Sequence, residues 1–191
     1  MLLDDIVREV NADTVPDSFD TNLIRGKLWL ALNLAKISDQ FDTIYVLGSW
    51  YGNMALIISR LPIDYRRIVN VEIDRQALAK SQELAKTFAV HRVTPMLVNA
   101  NDLDYQHLGP QGLVINTSVT NMSGAGWFDN IPRGTRLAML ARNNDPKARN
   151  KFNSVADLAT QFPLSQIEYS GTLSDRDPQT EFDHFLVIGL K

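Results

Sequence analysis

The sequence predicts an α/β fold, a doubly wound and mostly parallel seven-stranded sheet that ends in an antiparallel hairpin. Two observations carry this. From Thr43 onward, short β-branched runs alternate with amphipathic stretches of helical period, a rhythm that implies right-handed crossovers onto a parallel sheet covered on both faces. The last two apolar runs instead alternate with period two across a short polar loop, so they should pair antiparallel.

Taken in order, residues 1–40 read as an N-terminal helical cap and residues 41–191 as the main domain. The leader has an acidic amphipathic start and a break at Val15-Pro16-Asp17-Ser18. A helix over Leu23–Ser38 then carries Leu23, Ile24, Leu28, Leu30, Ala31, Leu34 and Ile37 as a broad apolar stripe. Thr43–Leu47 is the first strand; a turn from Gly48 to Gly52 closes it, and the helical pattern that follows runs to Arg60 before Pro62 stops it. Arg67–Glu72 is the second strand, and Asp74 stands where an N-cap belongs, ahead of a helix over Gln76–Phe88. Val93–Val98, Gly112–Asn116 and Arg136–Ala141 follow as strands, the last leading to a helix over Val155–Gln161. Ser165–Thr172 and Glu181–Leu190 form the hairpin, with Leu173–Thr180 as its loop.

Composition narrows the function. A chain of 191 residues, 45% apolar and 21% charged, can bury one real core without covalent staples. The absence of cysteine excludes disulfides, thiolate zinc sites, iron–sulfur clusters and cysteine nucleophiles, and the scattered His91, His107 and His184 suggest no metal set. With 19 basic against 22 acidic residues, net −3, there is no global field to draw in nucleic acid or an anionic membrane. No apolar run reaches the ~18 residues of a membrane span, and the first residues turn acidic at Asp4, so a soluble, cytoplasmic protein is expected.

In a doubly wound sheet the ligand crevice lies at the carboxyl ends of the strands, where strand order reverses. The turn Gly48-Ser49-Trp50-Tyr51-Gly52-Asn53 follows the first strand, and its glycines let the backbone turn sharply and approach a ligand. By itself such a turn is equally well explained by local geometry. Glu72, ending the next strand about 20 residues on, makes it a constellation, because a carboxylate there can accept both hydroxyls of a ribose. Asp74 is then the helix cap and Glu72 the ligand residue. Asn99, after the third strand, can meet both the donor and the acceptor edges of adenine, or can simply belong to an Asx-rich turn.

With these residues in place, the chain from Thr43 to Leu190 resembles the class I S-adenosylmethionine-dependent methyltransferases, with their Rossmann-like sheet. The segments VLGSWYGNMAL, VNVEIDRQALAKSQ and LVNANDL stand in that family's order. The resemblance implies S-adenosylmethionine as cofactor, with Gly48, Ser49, Tyr51 and Gly52 along its methionine and ribose, Glu72 on the ribose, Ile73 packed on adenine, and Asn99 and Ala100 at the base edge. The sequence also resembles a group of phage and bacterial methyltransferase-like proteins with a GxWYG loop and an INTS fourth strand, matched by LGSWYG and by residues 115–118.

Two departures matter. The family's first motif reads acid-x-Gly-x-Gly-x-Gly, and here Val46 holds the acid position and Trp50 that of the middle glycine. The cofactor's ammonium then lacks its usual carboxylate, and a buried cation without a partner is costly. A backbone carbonyl or Asp20 is a candidate to compensate, and Arg25 or Lys27 to meet the methionine carboxylate.

The loop from Asn116 to Trp127 should supply the acceptor side, with Asn116 and Ser118 as the candidate catalytic groups that position a nucleophile. That these residues merely satisfy strand-end backbone groups carries more weight. Trp127 is equally a packing residue or a stacking platform. The basic segment Arg133–Lys151 is able to touch phosphate, but no basic–aromatic interleaving supports nucleic-acid readout. His184 reads as a core or edge histidine. The acceptor is not named by the sequence, nucleic acid is open but unsupported, and a homo-oligomer is open. The alternative function is a degenerate, non-catalytic binding or interaction protein on the same fold.

Overall fold

The computed structural model describes residues 21–105, 108–145, 148–176 and 180–191. Asp20, His107 and the leader's break at 15–18 therefore lie outside the described residues. Seven strands, β1 (Gln40–Leu47), β2 (Asp64–Glu72), β3 (Val93–Leu97), β4 (Leu113–Asn116), β5 (Arg136–Arg142), β6 (Gln166–Arg176) and β7 (Glu181–Leu190), form one sheet in the order β3-β2-β1-β4-β5-β7-β6. The first five are parallel, and β7 pairs antiparallel with both β5 and β6. The helices are α1 (Thr21–Ile37), α2 (Asn53–Ile58), α3 (Arg75–Thr87), α4 (Gly126–Asp129) and α5 (Val155–Gln161).

Strand alternation divides the core in two. Ile44 and Val46 of β1 face one layer with Leu30 and Leu34 of α1 and Met54–Ile58 of α2, while Tyr45 and Leu47 face the other with Trp127, Phe152 and Phe162. α1 is therefore packed into the same apolar layer as the sheet. Trp127 is fully buried on α4 against Phe128 and Phe162, which makes it a packing residue rather than a stacking platform.

The expected strands are present, with longer ends. β1 and β2 begin at Gln40 and Asp64, ahead of Thr43 and Arg67, because Phe41 and Tyr65 pair in register and are buried beneath charged neighbours that hide the pattern. β6 runs to Arg176, through Ser174 and Asp175, because those polar residues pair with Asp183 and Phe182 at the sheet edge. Asp74 caps α3 as expected, its carboxylate accepting from the N–H groups of Gln76 and Ala77 at 2.7 and 3.0 Å.

Strand order reverses at β1, flanked by β2 on one side and β4 on the other, so the carboxyl ends of these strands open a crevice. Replacing the cap, Asp74→Ala, should lower stability by about 1 kcal/mol in urea unfolding while leaving the sheet intact.

Candidate functional site

Glu72 is the centre of the crevice. It is only 5% exposed, and three main-chain donors converge on its carboxylate: Trp50 N–H on Oε2 at 2.8 Å, and the Ile73 and Asp74 N–H groups on Oε1 at 2.8 and 3.1 Å. The carboxylate thus ties the turn after β1 to the turn after β2. Trp50 pays for this contact with a left-handed backbone, φ +50, which disfavours a non-glycine residue by about 1–2 kcal/mol. A charge-assisted hydrogen bond of its N–H to a buried carboxylate is of the same size.

The glycines of this turn have distinct tasks. At Gly48, φ +58, a Cβ would sit 2.7 Å from Ser118, whose hydroxyl donates to the Gly48 carbonyl at 3.0 Å. At Gly52, φ +78, a Cβ would sit 3.0 Å from Asn70 and from Ser81 of α3. Gly48 lets the β4 loop close on the β1 turn, and Gly52 lets α3 approach the start of α2.

A cavity of about 520 Å³ opens over these turns. Gly48, Glu72, Ile73, Asn99, Ala100 and Ser118 are brought together on its wall. Ser49, Tyr51, Gly52 and Asn116 are not on that wall. Ser49 is buried, Tyr51 packs against the apolar layer of α1 and α2, and Gly52 faces α3. Asn116 is fully buried, its carbonyl accepting from Ser118 N–H at 2.9 Å and its amide directed to the Met122 sulfur at 3.2 Å. Asn99 caps the short turn behind it, accepting from Asn101 N–H at 3.0 Å. Asn101 in turn accepts from Trp127 N–H and donates to the Ser123 carbonyl, which anchors the loop after β4. The Trp50 indole leaves the cavity open: it is 41% exposed and lies edge-on to Tyr51, ring centroids 5.0 Å apart.

The opposite wall is cationic, and here reasoning from the loops after the first four strands fell short. Lys27 from α1, Arg142 at the end of β5, His184 of β7 and Arg149 all line it. β7 runs antiparallel, so its start lies at the same rim as the end of β5, and His184 stands directly opposite Arg142. That placement follows from the hairpin once its register is known. Leu23 and Lys27, four apart on α1, share the helix face that meets the cavity. Arg25 turns the other way, paired with the buried Asp175 at 2.5 Å.

Burial, and secondarily repulsion from Arg142, lowers the Lys27 ammonium to about 8; its Nζ donates to Asn53 Oδ1 at 2.7 Å. His184 is also held below its ordinary value, first by burial, with Asp175 opposing and Arg142 adding to the effect. Its ring fills the space beside Gly26, where a Cβ would meet it at 2.8 Å, so α1 lies directly on β7. Because Lys27 loses its proton more readily in the folded than in the unfolded chain, stability should rise as pH climbs from about 8 to 10.5. Lys27→Met should remove that rise, read as the difference between urea midpoints of the two proteins across this range.

No family model and no curated protein matches the sequence. Solved structures match the fold. The N-methyltransferase NodS from Bradyrhizobium japonicum in complex with S-adenosylhomocysteine aligns over 97% of this chain and 97% of its own, with a TM-score of 0.69 at 11% identity. Magnesium protoporphyrin IX methyltransferase from Synechocystis, also with bound S-adenosylhomocysteine, aligns over 86% of this chain and 81% of its own, with a TM-score of 0.62 at 12% identity. An rRNA methylase from Streptococcus thermophilus aligns over 84% and 94%, with a TM-score of 0.58 at 16% identity. The chain has the fold of the class I S-adenosylmethionine-dependent methyltransferases.

Proposed function

We propose that this protein is an S-adenosylmethionine-dependent methyltransferase whose cofactor lies along the cavity at the β1 switch point. The observation that carries the reading is that Glu72, the exposed Ile73, Asn99 and Ala100 share one wall at the carboxyl ends of β1 to β3. Structural neighbours crystallised with S-adenosylhomocysteine support the choice of ligand. Among the described residues, no helix is long and apolar enough to cross a membrane.

The donor set fits an adenosyl group. Three N–H groups use three of the roughly four acceptor positions of the Glu72 carboxylate, which leaves about one for a ribose hydroxyl rather than the two expected from sequence. Ile73 is 68% exposed, an apolar side chain held at the rim beside a carboxylate, suited to the face of a flat ring. Asn99 and Ala100 adjoin it for the ring edge. Lys27 takes the methionine carboxylate, the task for which Arg25 is turned away. Bound there, S-adenosylmethionine would supply a sulfonium methyl group that passes to an acceptor lone pair while the C–S electron pair stays on sulfur.

The protein's part is alignment. Ser118 fixes the loop after β4 against the Gly48 carbonyl, and Asn116 acts through Ser118 as a positioning residue. The leader's α1 covers the cavity with Leu23 and Lys27. A second reading, a binding protein that holds an adenosyl compound without turnover, is favoured by Val46, which is buried in the apolar layer where the family places its acid.

Calorimetric titration tests the first reading. S-adenosylhomocysteine should bind, and the absence of heat at millimolar ligand overturns the proposal. Glu72→Ala should weaken binding by on the order of 1.5–3 kcal/mol, roughly tenfold to a hundredfold, in protein whose circular dichroism shows it folded. Binding without methyl transfer to any acceptor supports the second reading.

A further inference from the structure

The half of the cavity beyond β4 remains to be explained. β5 lies two strand spacings from β1, about 10 Å, so the Arg142 side chain stands past the glycine turn that would hold the methionine end of the cofactor. Among the described residues the lining beyond β4 carries Lys27, Arg142 and Arg149 against one carboxylate, Asp145, with Glu72 on the β2 side, in a protein whose net charge is −3. Asp145 forms an ion pair with Arg142 at 3.4 Å and also accepts from Asn121 at 3.1 Å. Among the described residues no carboxylate lies within ion-pair distance of Arg149. Leu140 and Ala141 give this half an apolar floor.

We infer that the methyl acceptor carries an oxyanion, a carboxylate or a phosphate ester, which Arg142 and Arg149 hold at the β5 end of the cavity. The inference rests on the methyl-transfer reading and names the class of acceptor for the same site. Arg142 ends β5 and Arg149 lies in the segment after it, and both line the cavity, whose β1–β3 side the cofactor occupies. The main chain there is braced: the N–H groups of Arg149 and Asn150 donate to the Thr120 carbonyl at 2.8 and 2.9 Å, and the Asn150 side chain donates to the carbonyls of Val119 and Met122. Arg149 therefore sits on a backbone joined to the loop that would align the acceptor, while Arg142 is fixed by the pairing of β5 with β7. Burial is the main cause that lowers Lys27 and His184, Asp175 opposes it at His184, and repulsion from Arg142 adds to both, so an anion arriving beside Arg142 relieves that repulsion.

The test uses the full chain saturated with S-adenosylhomocysteine and titrated with inorganic phosphate or with acetate at constant ionic strength, followed by thermal midpoint. One of the two probes should raise the midpoint saturably, and the stronger one distinguishes a phosphate ester from a carboxylate. Arg142→Gln and, independently, the exposed Arg149→Gln should each weaken that probe about tenfold while S-adenosylhomocysteine affinity stays within about twofold. A probe that displaces S-adenosylhomocysteine, or one that acts on both variants as strongly as on the unaltered protein, overturns the inference. So does the absence of any saturable effect. Failure of S-adenosylhomocysteine to bind the unaltered protein is a separate result that defeats the methyl-transfer reading itself.

Discussion

The crevice depends on one carboxylate whose acceptor positions are largely taken by the protein's own backbone. Glu72 gathers the N–H groups of Trp50, Ile73 and Asp74, and so sets the relative position of the two turns that bracket the strand reversal. Because the group is almost fully buried, these bonds are made in a poorly screened setting, where leaving any of them unmade would be costly. The residue that gives the turn its shape also lines the cavity.

The turn also shows how a departure from a glycine motif is accommodated. Trp50 keeps the left-handed backbone that a glycine would adopt, and its N–H reaches the carboxylate while its ring moves out to the rim against Tyr51. A large side chain stands in that position as part of the cavity's lining, half-exposed at the rim, and a volume of about 520 Å³ stays open. At Val46 the change is of another kind. An apolar side chain fills a place inside the core layer and does not reach the cavity wall, which carries the cations Lys27 and Arg142.

Much of the site could be read from the chain because it lies in consecutive strand–turn units. Glycine turn, strand ending in an acid, and strand ending in an amide each identify a position locally, and Gly48, Glu72, Ile73, Asn99 and Ala100 do share a wall. Ser49, Tyr51, Gly52 and Asn116 belong to the same segments but face elsewhere, since successive residues of a tight turn diverge in direction and adjacency in sequence does not fix which one meets the cavity. The sequence marked Lys27 and the basic run Arg133–Lys151, which holds Arg142 and Arg149, separately, and nothing local joined them with His184 on one wall. Lys27 and Arg142 are more than a hundred positions apart, and His184 reaches the rim only because β7 runs against its neighbours.

Hydrophobic periodicity and turn chemistry determined the α/β class, the parallel units, the terminal hairpin and the cap at Asp74, because each of these is encoded within a few neighbouring residues. Tertiary structure alone decided that Glu72 is already bonded to the Trp50 backbone, that Gly52 serves helix packing rather than the cavity, and that three cations from α1, β5 and the segment after it meet on one wall. Those facts rest on strand order and on the burial of specific side chains, and both emerge only when residues distant in sequence are packed against one another.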